Sequence, residues 1–385
     1  MKIPPLKIGN VEVPLPIMQG GMGVRVSLAG LAAAVANEGG IGTIASVGLG
    51  DFNEAKTDFE GVCREALIKE LRRARILTDG PIAINVLGVL SNAKDLIQTS
   101  AREGAKFIVS GASLPFRLPE MIGDETVNLV PIISSGRAAD IVLRTWEKRY
   151  HRTADAVVLE GPLAGGHLGF SAEQLQEPEK YSLDILLPEV LEAIKPFEDR
   201  FGRKIPVIAG GGIYTGADIA RMLQAGASGV QMATRFVCTY ECEVAAEFKQ
   251  AYLDSKEEDI VIIKSPVGLP GRAIRNQFLR NLDEGKLDRI KCPYRCLATC
   301  DVATARSSPQ KEIWGFRICP HPPSFPMMQV MGRLKRTAVS SSMPFSPKAP
   351  TPAMRSTRRS GLRSFAAMAK EGPTPRQPKG PGSSH

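Results

Sequence analysis

The chain has 385 residues, enough for one barrel of common size with extra segments, or for two domains. Its formal net charge of +9 is unevenly spread. Residues 307–385 hold 13 Lys+Arg against 2 Glu, so the rest is close to neutral and a nucleic-acid or membrane-surface role would rest wholly on the tail. The odd count of 7 cysteines argues against a disulfide framework, no apolar run approaches the ~18 residues of a membrane span, and Met1–Lys7 lacks the apolar core of a secretory signal. A cytoplasmic location is expected, with neither a membrane nor a nucleic-acid partner.

From Pro14 to about Leu253, short apolar runs alternate with amphipathic stretches. Strands are predicted at Leu15–Met18, Ile41–Ile44, Ile82–Val86, Phe107–Val109, Leu129–Ile133, Ala156–Leu159, Ile205–Ala209 and Gly229–Met232. Helices are predicted at Ser27–Asn37, Glu60–Arg75, Ala93–Glu103, Gly136–Lys148, Leu183–Ile194, Gly216–Gln224 and Glu241–Leu253. Eight strands with helices between them read as an α/β fold, a TIM-like (β/α)8 barrel. A doubly wound open sheet is the alternative, and the count of eight together with ligand-like loops after many strands favours the barrel.

The barrel is expected over residues 1–253. Gly161–Tyr181 is long for a βα loop and is expected to form a lid or insertion. Residues 254–306, with turn signals at Pro266-Val267-Gly268 and Pro270-Gly271, are expected to pack over the barrel mouth as an irregular extension. Beyond Arg306 periodicity is lost. The tail, residues 307–385, holds 13 of the 29 prolines and no aspartate, a composition that predicts disorder. An out-of-frame reading of a GC-rich coding sequence would give the same bias.

Site chemistry concentrates at predicted strand ends, where parallel α/β folds bind ligands. The run Ala156–Leu159 leads into Glu160-Gly161-Pro162-Leu163-Ala164-Gly165-Gly166-His167-Leu168-Gly169. Of the 4 histidines, His167 alone follows a predicted buried strand. Glycines let backbone approach a flat or anionic ligand, and the imidazole brings titratable chemistry to the same loop. Gln19, Gly20, Gly21 and Met22 follow the first strand, and Asn85 lies near the end of the third. Gly210, Gly211 and Gly212 follow the seventh, and Gln231, Met232, Ala233 and Thr234 close the eighth. Loops after strands 7 and 8 of a barrel frequently form a phosphate site from backbone N–H groups and a helix N-terminus. The Gly-rich turn at Gln19–Gly23 is no dinucleotide fingerprint, because Ala45-Ser46 stand where an acidic residue is usual. FMN fits better: its phosphate on the strand 7 and 8 loops, its ring toward Gln19–Met22, and Asn85 bonding the ring or ribityl chain.

These segments together resemble the nitronate monooxygenases, formerly 2-nitropropane dioxygenases, and their relatives the flavin-dependent enoyl-acyl-carrier-protein reductases. The matching runs are Pro16–Gly23, Asn85, Ser134-Ser135, Glu160–Gly169, Ile208–Ile213 and Gly229–Phe236, in the family's order, with Ser265–Ala273 following. Ala233 departs from the glycine many members carry. The resemblance implies an FMN-binding barrel, adds Ser135 and Gly166 to the cofactor contacts, and places His167 beside the flavin on the substrate side. It implies a small-molecule substrate, a nitronate oxidised with O2, or an enoyl thioester or quinone reduced with NAD(P)H. His167 would bond the nitro oxygens or act as base on a neutral nitroalkane. Cys292, Cys296 and Cys300 form C-x3-C-x3-C, which is neither a zinc pair nor a familiar ferredoxin run, so reduced structural thiols are expected and no metal. Cys238 and Cys242 are expected to be packing residues.

Overall fold

Strands buried on both faces read as near-continuous apolar runs, and the barrel strands here are mostly apolar, broken by single polar residues such as Gln19, Asn85 and Gln231. The computed structural model describes residues 3–51, 53–123, 126–264, 269–284 and 296. The chain opens with an antiparallel hairpin of β1 (Leu6–Ile8) and β2 (Val11–Val13). It continues through β3 (Ile17–Gln19), α1 (Ala29–Asn37), β4 (Gly42–Ala45), α2 (Phe59–Leu77), β5 (Ile82–Leu87), α3 (Ala93–Arg102) and β6 (Phe107–Gly111). Next come α4 (Leu118–Met121), β7 (Asn128–Ile133), α5 (Gly136–Tyr150), β8 (Val157–Glu160), β9 (Gly166–His167), α6 (Leu183–Phe201) and β10 (Val207–Gly210). After α7 (Gly216–Gln224), β11 (Gly229–Met232), α8 (Thr234–Val237) and α9 (Ala246–Asp254), a hairpin of β12 (Ile260–Lys264) and β13 (Pro270–Ile274) leads to α10 (Gln277–Asp283).

β4, β5, β6, β7, β8, β10, β11 and β3 lie side by side in that order and are parallel. The two ends of the sheet meet. Met18 bridges Ile41, the Gln19 N–H donates to Ile41 O at 2.9 Å, and the Ile41 N–H donates to Ile17 O at 2.9 Å. The result is the expected TIM-like barrel. Met18, Phe107, Val130, Val158 and Ile208 fill its interior together with Leu6, Ile8 and Val13 of the opening hairpin. That hairpin packs at the start of the strands: Leu6 lies against Gly229, and Gly9 against Asn128. A second, larger core lies between strands and helices, with Leu31, Leu67, Leu143, Trp146, Leu187 and Phe197 in it.

Both hairpins fall where the sequence reading placed no strand. Three-residue strands are too short for a periodic signal, although Gly9-Asn10 between Leu6-Lys7-Ile8 and Val11-Glu12-Val13 is a turn between two alternating runs. Helix bounds also differ, by one or two residues in α2, α3 and α5, and also in α6, α1 and α9. α6 runs through Pro188 and Pro196 to Phe201, because its buried stripe of Leu186, Leu187, Val190 and Ile194 continues to Phe197. α1 starts at Ala29, since the Ser27 hydroxyl is engaged with the Met22 backbone. α9 starts at Ala246 rather than Glu241.

The segment after the barrel crosses to the loop that follows β8. β13 pairs with β12 on one side and with β9 on the other, with Gly271 opposite His167 and Arg272 opposite Gly166. Cys296 is buried and its carbonyl accepts the Ser91 N–H at 3.1 Å. Cys242 is buried, with its thiol on Val26 O, whereas Cys238 is exposed. Cys292, Cys300 and the whole tail from residue 307 lie outside the described residues, and with them the expectations of disorder and of a changed frame. Among the described residues no helix is long and apolar enough to cross a membrane.

Candidate active site at the carboxyl ends of the strands

All the predicted site segments lie at the C-terminal ends of the parallel strands or just beyond, so the barrel gathers them at one mouth. The Gly20 N–H donates to Met232 O at 2.8 Å, which joins the end of β3 to the end of β11. A Cβ on Gly20 would lie 3.4 Å from Ala233 Cβ and 3.4 Å from Gln231 Cγ. Gly21 lies on Asn85, and Gly210 lies on Gln231. Gly211 lies on the loop after β8: a Cβ there would be 3.0 Å from Gly161 O and 3.0 Å from Ala164 N. Gly212 packs on Leu163. The segments therefore touch in sequence around the rim, from Asn85 through Gly21, Gly20, Gln231 and Gly210 to the His167 loop.

Gly211 and Gly212 have φ of +107° and +75°, a backbone that disfavours any Cβ. Among the described residues, the N–H groups of Gly211, Gly212 and Ala233 have no acceptor. Together with Thr234 at the start of α8, they form a set of donors with no protein partner. The α7 N-terminus takes no part in that set. Asp218 caps it, accepting the Tyr214 N–H at 3.1 Å and the Thr215 N–H at 2.8 Å. Arg235, next in the chain to Thr234, stacks its guanidinium 4.4 Å over the Tyr214 ring and donates to Tyr214 O.

Two predicted residues turn their side chains away from the rim. Gln19 is fully buried: its Oε1 accepts the Thr43 N–H at 2.9 Å and its Nε2 donates to Gly20 O. The Met232 side chain is 2% exposed and belongs to the core. Met22 is held by Ser27, whose Oγ accepts its N–H at 2.9 Å. Asn85 is anchored through Nδ2 to Val109 O at 3.3 Å. Ser135 is the N-cap of α5, its Oγ accepting the Ala138 N–H at 3.1 Å, while Ser134 packs on Gly169.

His167 sits on β9, held by β13. Gly165 and Gly166 border open space, with nothing within 4 Å of where a Cβ would be. Burial holds the imidazole below its ordinary 6.5, so at neutral pH the ring is uncharged and offers one donor and one acceptor. Two groups escaped the sequence reading. Burial pushes the Glu160 carboxyl at the end of β8 up to about 7, although the Gly169 N–H faces it and favours the ionised form. Its signal in the sequence was a lone acid closing an apolar strand. Arg272, from β13, reaches the same loop and donates to Pro162 O at 2.6 Å and Ala164 O at 3.1 Å. No local pattern marks it, because its partners are far away in sequence.

A closed parallel barrel with glycine-lined strand ends and a neutral histidine at its mouth defines an α/β-barrel enzyme with a ligand site at the C-terminal face. The nitronate monooxygenase family model matches residues 5–108 and 94–315, and the chain belongs to that family of flavin-dependent oxidoreductases. It is 28% identical to a probable nitronate monooxygenase of Staphylococcus saprophyticus, over 74% of this chain and 82% of the relative. It is 29% identical to the (3aS,4S,5R,7aS)-5-hydroxy-7a-methyl-1-oxo-octahydro-1H-indene-4-carboxyl-CoA dehydrogenase of Mycobacterium tuberculosis, over 72% of this chain and 68% of the relative. The solved structure of FabK from Thermotoga maritima superposes with a TM-score of 0.57 at 28% identity, covering 71% of this chain and 76% of that one.

Proposed function

We propose that the chain binds FMN across the barrel mouth and oxidises alkyl nitronates with O2. The observation that carries the reading is the set of unpartnered N–H groups on Gly211, Gly212 and Ala233, on the same rim as the His167 loop. Three or four backbone donors beside Arg235 suit a single phosphate monoester. Gly165 and Gly166 border open space that a flat ring system can occupy, and Asn85 stands beside Gly21 to bond it. Bound there, the flavin would supply the electron-transfer chemistry that no side chain of the site has.

The chain's own task is then to bind and orient. A nitronate is already an anion, so substrate activation needs no strong base. Neutral His167 donates one hydrogen bond to a nitro oxygen, and its other nitrogen can take the α-proton of a neutral nitroalkane. The loop around it is fixed by β13.

A second reading, reduction of an enoyl thioester or quinone with NAD(P)H, draws on the thioester named in the Mycobacterium tuberculosis relative and on the likeness to FabK. One anaerobic experiment separates them. Purified protein is mixed with a primary nitronate, NADH or NADPH, and flavin absorbance is followed. Bleaching by the nitronate alone supports the first reading, and bleaching by a reduced nicotinamide alone supports the second. Protein that holds no flavin and takes up no added FMN overturns both.

A further inference from the structure

The loop that carries His167 is gripped from outside the barrel by one side chain. Arg272 is half-buried on β13, directly opposite Gly166 in the β9–β13 pairing. One guanidinium nitrogen donates to both Pro162 O and Ala164 O, at 2.6 and 3.1 Å. Among the described residues it forms no ion pair. Backbone bonds continue the grip on the other side of the loop, where the Leu168 N–H donates to Pro270 O at 2.8 Å. The loop is thus fixed on both sides of His167, while Gly165 and Gly166 between the anchors border open space. Neither glycine has a side chain to hold the loop, so beyond the β9–β13 pairing the place of the imidazole depends on these anchors. An arginine partly removed from water with only carbonyls for partners is an expensive way to tie a loop, since burial lowers its pKa.

We propose that Arg272 is a positioning residue for His167: by holding the carbonyls of Pro162 and Ala164 it sets where the imidazole stands at the barrel mouth. The catalytic consequence rests on the reading of His167 as the substrate-contacting group, whereas the positional one does not. The hairpin β12–β13, which belongs to no part of the barrel, then acts on the site through this loop.

The test uses the full-length protein with Arg272→Met, which removes donor and charge, and Arg272→Lys, which keeps the charge but ends one bond short of the nitrogen that holds the two carbonyls. The imidazole of His167 is followed by NMR titration, assigned by its absence in His167→Ala. Exchange of the Leu168 amide and kcat per bound flavin are measured alongside. In wild type, His167 titrates below 6.5. In both variants it is expected to move up toward the ordinary ~6.5 as the ring meets water, with faster Leu168 exchange. Turnover per bound flavin is expected to fall about 10- to 100-fold, the scale of a small misplacement, with KM little changed. A shift in Arg272→Met that Arg272→Lys escapes would mean that the shorter cation still holds the two carbonyls, and would support the grip. Unchanged exchange and titration in both variants would overturn the proposal. If titration and exchange move but turnover per flavin does not, Arg272 still positions His167, and the reading of His167 as the substrate contact is what fails. Should Arg272→Met not fold, Arg272→Gln, which carries no charge and ends short of both carbonyls, takes its place with the same two readouts.

Discussion

Gly21 and Asn85 touch across the barrel mouth, although β4 lies between their strands in the sheet. A Cβ on Gly21 would lie 2.7 Å from Asn85 Cγ and 2.9 Å from its Oδ1. Asn85 cannot retreat freely, because Nδ2 is bonded to Val109 O and its own carbonyl accepts the Ser46 hydroxyl. Gly21→Ala is therefore expected to push the β3 loop or the Asn85 amide out of place, at a cost of about 1–3 kcal/mol as for overpacking elsewhere. If Asn85 bonds the flavin, the flavin-to-protein ratio should fall further than the melting temperature suggests. A Gly21→Ala protein with full flavin and wild-type stability would show that this contact relaxes without consequence.

The phosphate reading makes a prediction that needs no mutation. Backbone donors cannot be deleted, but the phosphate can. Apoprotein should bind FMN more tightly than riboflavin by about 1.5–3 kcal/mol for each charge-assisted bond that the phosphate keeps. One such bond already means a difference of about tenfold or more in Kd. Gly211→Ala should weaken FMN and leave riboflavin less affected, but it also carries a backbone cost of about 1–3 kcal/mol at φ +107°. Its Cβ would meet Gly161 O at 3.0 Å, so some stability loss is built in. Fluorescence titration of apoprotein with both flavins is the measurement. Equal affinities would remove the phosphate from the Gly211–Ala233 rim.

The barrel was legible because its strands are buried on both faces and read as mostly apolar runs. Val157–Glu160 and Gly229–Met232 stand within a residue of where the pattern put them. The rim was legible for a related reason: Gly210–Gly212 stand at a strand end, and close packing on Gln231, Gly161 and Leu163 needs them there. Side-chain direction was not legible. Gln19 and Met232 sit in segments that reach the rim, yet Gln19 is spent on Thr43 and Gly20, and Met232 on the core. Nor was the grip on the His167 loop, since Arg272 and Pro162 meet only through the pairing of β9 with β13. A sequence gives the period of a strand, but it does not say which distant strand lies next to a two-residue one.

Glu160 gives a pH signature with a definite sign. Its carboxyl titrates near 7 in the folded protein, above the ordinary value of 4.5, because burial disfavours the charge. Between those values the folded chain holds a proton that the unfolded chain has released. Its contribution is therefore fully present below 4.5 and is lost as pH rises through about 7. The loss is on the order of 3 kcal/mol. Glu160→Gln keeps an acceptor for the Gly169 N–H and removes the titration. The variant is expected to be more stable than wild type at pH 8, with the gap narrowing toward pH 5. His167 works in the opposite direction, since its lowered pKa costs stability as pH falls below 6.5, but it is common to both proteins and cancels in the difference. Urea melts of the apoproteins from pH 5 to pH 8 measure this. A gap that does not change with pH would mean that Glu160 is not held protonated.

His167→Ala tests the chemistry directly. The imidazole lies on a loop whose backbone is fixed by β13, so its removal leaves Gly165, Gly166 and the rim in place. Flavin content should therefore be retained. If the ring donates one hydrogen bond to an anionic substrate, its loss costs about 1.5–3 kcal/mol. That is about 10- to 150-fold in kcat/KM when the bond persists in the transition state. A neutral ring below its ordinary pKa adds a further sign. Wild-type efficiency on a neutral nitroalkane should stay level down to pH 6.5 and fall only below it, as the ring gains a proton and loses its acceptor, whereas a nitronate, which needs only the donor, should show no such fall. On a neutral nitroalkane, which needs a base, the same mutation should cost more than on the nitronate, and that contrast separates proton removal from simple binding. A purely structural histidine would instead give loss of flavin or of stability, with efficiency per bound flavin unchanged.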